Sequence, residues 1–398
     1  MRQVLLTDIM TDPFVHTENY NYLNFCGVSP FYNPARLAAA RFNEIQSLTG
    51  TLVFAEYPDV LQTLHQSAGQ LLETDSVNIS FMKNTAEGIS LIASGYPFQQ
   101  GDEIVSYVHE YPSNHYPWWL QQERGVTLKL IGDHQRHLTA ESAGIKLPGP
   151  CSFSLEDIDA VVTSRTRVIA LSHVQFTSGF AINLQEIGNY CKDRNIDLVI
   201  DAAQSLGSLP LLPEKYNIAA IAASGWKWLL GPVGSGLLYT RPDFRDKIKT
   251  VFAGADLMKQ GQDYLNHSWN PYTDGRKFEY STASVSLAVA LNVCINELPL
   301  KHSVNHISSH IFRLHDYFVH QLNQSKLKGI VQPVRFKSEH RSGILSLVIN
   351  DAEAVSRKLK DNKIICTSRG GYLRLAPHLP AQEKDIDHFV TALEAILT

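Results

Sequence analysis

Between about residues 75 and 240 the chain alternates short apolar runs with stretches of helical periodicity, and no other feature restricts its fold as much. Residues 103–108, 126–130, 167–172 and 197–201 read as strands. Residues 116–124 and 184–194 read as helices between them, and 218–223 and 236–239 are further apolar runs bounded by glycine. Strands that alternate with helices predict an α/β fold, a mostly parallel sheet between helices. In such sheets a ligand sits beyond the carboxyl ends of the strands.

Elsewhere the pattern changes. Residues 131–153 are polar and rich in His, Gly and Pro, which predicts a surface excursion. Residues 285–298 and 308–321 carry amphipathic-helix periodicity, 343–348 and 372–375 read as strands, and 384–397 as a last helix. The expected division is an N-terminal segment (1–20), a large domain (21–250) and a smaller C-terminal α/β domain (251–398).

Composition removes several function classes. The five cysteines are scattered, odd in number and form no CxxC, which predicts free thiols in a reducing, cytoplasmic setting. Residues 1–13 hold one Arg and two Asp and no apolar core, so a secretory leader is not expected. The formal charge of -4 comes with no basic run, which argues against nucleic acid or an anionic membrane as partner. No apolar run approaches the ~18 residues that span a bilayer. The 16 histidines show neither HExxH nor paired Cys/His spacing, so no metal site is expected. Gly231-Pro-Val-Gly-Ser-Gly is followed by Leu237 and Leu238, not by the Lys-Ser/Thr of a nucleotide-binding loop.

The chemistry-bearing residues lie around two points. Asp201 ends an otherwise apolar strand, where a carboxylate is costly to bury unless a cation meets it. Lys227 lies between Trp226 and Trp228, and desolvation there would lower its pKa and suit it to Schiff-base chemistry. A buried Asp–Lys ion pair would leave the same trace, so these two residues alone decide nothing. Asn84-Thr-Ala-Glu-Gly precedes an apolar helical stretch, and a helix start offers free amides to a phosphate. Tyr111, in Glu110-Tyr-Pro-Ser-Asn-His-Tyr-Pro-Trp, reads equally as a core aromatic or as a ring that stacks on a planar ligand.

Taken in order, those segments with Val174-Gln-Phe-Thr-Ser-Gly, Asp201-Ala-Ala-Gln, Ser224-Gly-Trp-Lys-Trp-Leu-Leu-Gly-Pro and Arg369-Gly-Gly-Tyr-Leu-Arg resemble the class V aminotransferase superfamily. These are fold-type I enzymes that use pyridoxal 5'-phosphate (PLP), and the resemblance spans about residues 20 to 395. It implies a Schiff base between Lys227 and the cofactor, with Lys227 then moving protons at the substrate Cα. It implies that Asp201 pairs with the pyridine nitrogen and that Gln204 faces the ring's phenolic oxygen. Thr85, Ala86 and Ser224 match phosphate-binding positions, and Tyr111 the ring-stacking position. Ser281 and Thr282 match a segment that reaches the phosphate from the other subunit of a homodimer. Arg374 matches the clamp for the substrate α-carboxylate, and Asn24, Cys26 and Gly27 a segment lining the substrate pocket.

The resemblance implies aminotransferase or lyase chemistry on a small α-amino acid. Kynureninase-like and selenocysteine lyase or cysteine desulfurase-like activities stay open, as does a non-catalytic PLP-binding regulator. One departure stands out. Desulfurases carry a nucleophilic Cys on a loop between the two Arg positions, whereas the stretch from Arg369 to Arg374 has none and Cys366 lies before it.

Overall fold

A computed structural model of the chain describes residues 12–15 and 19–398. The reading of residues 1–13 as free of a leader therefore falls almost wholly outside the described residues.

The first strand, β1 (Asn21–Tyr22), belongs away from the main sheet. The main sheet holds β2 (Ile79–Met82), β3 (Glu103–Tyr107), β4 (Thr127–Ile131), β5 (Thr166–Ser172), β6 (Asp197–Asp201), β7 (Ala220–Ser224) and β8 (Gly236–Thr240). Their order is β2-β8-β7-β6-β5-β3-β4. From β4 to β7 all neighbours run parallel, while β8 is antiparallel to both β7 and β2. The reversal has a plain cause. The link 225–235 between β7 and β8 is too short to hold the crossover that a parallel return requires. That same link carries Lys227. Every residue of β3, β6, β7 and β8 is buried, as strands covered on both faces require.

Helix Thr85–Gly95 packs tightly on β7: a Cβ built on Gly88 would lie 3.0 Å from that of Ala222. Helices Asn33–Thr49 and Val60–Leu72 went unread in the sequence, and both pack on helix Val285–Ile295. The expectation of an amphipathic helix there is corrected. Ala288 and Leu291 face one core cluster, Ala290 and Cys294 another, so its apolar residues encircle it. The expected helix 116–124 is one α-turn, Tyr116–Trp119, running into a 3-10 stretch, Leu120–Arg124, that stops at left-handed Gly125. Residues 131–153 are more than a surface excursion. Cys151 and Phe153 join the main core, and Leu138 bridges to Phe336. The sequence conceals this because the buried side chains are spaced without period.

A second sheet, all antiparallel, has the order β12-β13-β10-β9. Its strands are β9 (Gln332–Pro333), β10 (Leu345–Val348), β12 (Thr367–Arg369) and β13 (Tyr372–Leu375); β11 (Ile364–Ile365) pairs instead with β1, in parallel. Asn24 bridges to Ala376. These pairings lay residues 21–27 beside the strand that bears Arg374. Among the described residues no helix is long and apolar enough to cross a membrane.

Candidate active site

The carboxyl ends of β5 and β6, the start of helix Thr85–Gly95, the turn after β7 and the β12–β13 hairpin enclose one cavity of about 590 Å³. This is the carboxyl edge that an α/β sheet offers to ligands. Thr85, Ala86, Tyr111, Asp201, Gln204, Ser224, Lys227, Arg374, Asn24, Cys26 and Gly27 all line it. Ser281 and Thr282 do not. Both are exposed, and Ser281 faces a separate recess with His65, Asp256 and Glu279.

One end of the cavity is built to meet an anion. Asn84 caps the helix through its side chain, which accepts the Glu87 N–H at 2.8 Å. The Thr85 and Ser224 hydroxyls lie 2.9 Å apart, and the Thr85 N–H points to Ser224 Oγ at 3.3 Å. Two hydroxyls at the positive end of an eleven-residue helix suit a phosphate.

The middle of the cavity holds the two ionisable groups. Asp201 is 4% exposed, and its Oδ1 accepts the Ala203 N–H at 2.8 Å. Burial pushes its pKa up; that N–H and Lys227 oppose the rise. Burial pushes the Lys227 amine below the usual lysine range, and Asp201 opposes the fall. Yet the two form no ion pair, and among the described residues no cation lies within 4.0 Å of Asp201. The structural ion pair that the sequence left open is thus not what these residues make. A buried carboxylate unmatched by a protein cation fits a protonated ring nitrogen. Lys227 Nζ lies 5.5 Å from the centroid of Tyr111, whose ring is 44% exposed and edge-on to Phe176 at 5.1 Å. A phosphate cradle, an unmatched carboxylate, a lysine and an open aromatic face together fit PLP.

Two residues have partners that the sequence could not show. The Gln204 amide donates to the Cys26 carbonyl at 2.9 Å and accepts from Trp228 Nε1 at 3.1 Å, so both its ends are engaged within the protein. Arg374 is 3% exposed. Its Nη1 donates to the Phe176 carbonyl at 2.6 Å, while its buried Nε has no partner. A guanidinium left part-satisfied on the cavity wall suits a carboxylate, which takes two parallel N–H bonds.

Sequence reasoning passed over Ser172 and Glu110. Ser172 ends β5 in register with Asp201 and lines the cavity. Behind it the buried Glu110 carboxylate accepts from the Ser172 N–H at 2.8 Å, from the Ser172 hydroxyl, and from Gln175 Nε2 at 3.0 Å. Burial pushes the Glu110 pKa up to about 7. The one usable signal was the position of Ser172 at a strand's carboxyl end.

Comparisons agree with the geometry. A probable cysteine desulfurase of Methanothermobacter thermautotrophicus is 26% identical over 358 residues, 88% of this chain and 83% of that protein. The apo cysteine desulfurase of Thermococcus onnurineus superposes with a TM-score of 0.82 at 20% identity, covering 98% of each chain. The cystine C-S lyase C-DES, solved with its reaction product cysteine persulfide, superposes with a TM-score of 0.84 at 21% identity, covering 96% of this chain and 98% of its own. The profile of the Aminotransferase class-V family matches residues 53–373, and the chain belongs to that family of PLP-dependent enzymes.

Proposed function

We propose that this chain is a PLP-dependent lyase that breaks the bond between Cβ and sulfur in a cysteine-type amino acid, with no protein thiol taking the sulfur. The observation that carries this reading is the β12–β13 turn. It consists of Gly370 and Gly371 alone, at φ 56° and 85°, as in a two-residue type I′ hairpin. No loop remains there on which a nucleophilic Cys could swing. Cys366 does not line the cavity, and burial pushes its thiol up to about 12.

When bound, PLP supplies an aldehyde for the substrate amine and an electron-withdrawing ring. The Thr85 and Ser224 hydroxyls and the first amides of the helix bind its phosphate. Asp201 holds the proton on the ring nitrogen, Tyr111 covers a ring face, and Arg374 binds the substrate α-carboxylate. Lys227, whose amine burial pushes below the usual lysine range, takes the proton from Cα. Sulfur leaves Cβ with the bonding electron pair, and water converts the remaining three carbons to pyruvate and ammonia. The name of C-DES, and its product cysteine persulfide, support this chemistry.

Holoenzyme given L-cystine should form pyruvate, ammonia and free cysteine persulfide, and should do so without an α-keto acid. Borohydride should fix the cofactor to the peptide containing Lys227. Amine transfer to an added keto acid, with no pyruvate, would put an aminotransferase in place of the lyase.

One observation favours a second reading. Cys26 lines the cavity, its Sγ 3.6 Å from Asn24 Oδ1. Were Cys26 a sulfur acceptor, as in a desulfurase, L-cysteine would give alanine and an enzyme persulfide, and both would vanish in Cys26→Ser. We also propose a homodimer whose exposed Ser281 and Thr282 complete the phosphate end of the partner's cavity. Light scattering should give twice the 44.5 kDa chain mass.

A further inference from the structure

The cavity wall carries one cation to which the proposed chemistry gives no role. Its lining includes Lys227, Arg369 and Arg374 against a single carboxylate, Asp201. In the proposed function Asp201 meets the ring nitrogen, the helix start and its hydroxyls hold the phosphate, Lys227 moves the Cα proton and Arg374 takes the α-carboxylate. Arg369 is left over.

Its placement is not that of a stray surface arginine. In the β12–β13 hairpin Thr367 pairs with Arg374 and Arg369 with Tyr372. Arg369 and Arg374 are therefore diagonal neighbours, a relation that puts Cβ atoms within roughly 8 Å, inside the reach of long side chains. Arg369 is close enough that its charge adds to burial in holding the Arg374 pKa below its usual value. Among the described residues its side chain makes one hydrogen bond, from Nη1 to the neighbouring Ser368 carbonyl at 3.0 Å, and has no carboxylate partner. The glycine turn keeps the hairpin short and so holds the Arg369 backbone at the cavity mouth.

We infer that Arg369 is a specificity-determining residue that binds a second anionic group on the substrate, several bonds from the α-carboxylate held by Arg374. The substrate class is then a cysteine S-conjugate or disulfide whose far end bears a carboxylate, rather than cysteine itself. This rests on the lyase reading for the sulfur bond, though not for the anion.

The test uses two near-isosteres, S-carboxymethyl-L-cysteine and its neutral amide, S-carbamoylmethyl-L-cysteine. Their dissociation constants are measured on the holoenzyme by the change in cofactor absorption and by calorimetry. A charge-assisted hydrogen bond predicts that the carboxylate binds about ten-fold more tightly. The gap between the two ligands should close in Arg369→Gln and reopen in part in Arg369→Lys. Equal affinities in the wild type, or a gap that survives in Arg369→Gln, would overturn the inference. Pyruvate is assayed separately. Cleavage of both ligands without discrimination leaves the lyase standing and removes the role of Arg369. A clear binding gap with no pyruvate from either does the reverse.

Discussion

The two walls of the cavity are built differently. The cofactor wall stands on regular elements: β6 ends at Asp201, β7 at Ser224, and an eleven-residue helix begins at Thr85. Its hydroxyls and amides are mutually bonded. The substrate wall stands on short strands, a two-glycine turn and an irregular segment around Cys26, and among the described residues it leaves Arg374 Nε without a partner and Arg369 without a carboxylate. A wall fixed by regular elements suits a group that every turnover shares. A wall with unspent donors suits the part of the ligand that differs between enzymes.

If that division is right, substitutions on the cofactor wall should cost most. Lys227→Ala removes both the covalent anchor and the base. General-base catalysis alone is worth about 10²–10⁴-fold, so turnover should fall at least ~10⁴-fold, while PLP still binds through its phosphate. An Ala variant that turned over steadily, followed by pyruvate release, would mean that another group does this work. Asp201→Asn keeps the shape and removes the charge. Leaving a buried charge unmatched costs about 3–5 kcal/mol, which predicts a fall of roughly 10²–10⁴-fold in kcat and kcat/KM together. Near-normal kcat would make the carboxylate structural and erase the contrast between the walls.

The substrate wall should give smaller and more selective losses. Arg374→Lys keeps the charge and loses the planar fork, so kcat/KM should drop about ten- to a hundred-fold. The absorption spectrum without substrate should stay as it was. A change in that spectrum would place Arg374 on the cofactor side and blur the comparison.

The same contrast explains what could be read from the sequence. Asp201 and Lys227 stood out because one ends an apolar strand and the other sits in a bulky apolar context, and periodicity marks strand ends; Ser224 was named by the resemblance. The mostly parallel sheet followed from the same alternation. Helices Asn33–Thr49 and Val60–Leu72 did not stand out, because half of the first helix's apolar residues are alanines, which mark a period weakly, and the second ends at left-handed Glu73, without glycine to mark it. On the substrate wall the resemblance named Arg374 and Cys26, and periodicity named neither. The bonds of Gln204 to Cys26 and Trp228 span 178 and 24 residues, and no local pattern records such pairings. Ser281 and Thr282 lie away from this chain's own cavity, so their assigned role depends on a second subunit.

The smallest expected effect concerns Glu110, which supports Ser172 from behind the cofactor wall. Its pKa of about 7 lies above the ordinary 4.5 because burial disfavours the charged form. The fold therefore favours neutral Glu110. The resulting contribution to stability is complete below about pH 4.5 and is lost as pH rises through about 7. The upper bound on that loss is about 3 kcal/mol, at 1.36 kcal/mol per unit. Glu110→Gln mimics the neutral acid and does not titrate. Midpoints of urea unfolding, measured on cofactor-free protein, should differ little between wild type and variant at pH 5. By pH 8 the variant should have gained on the wild type by a fraction of that bound. Comparing the two proteins at each pH cancels the titration of Asp201, which both retain. A difference that stays constant with pH would mean that Glu110 is ionised throughout, held so by Ser172 and Gln175, and that the cofactor wall rests on a charged support.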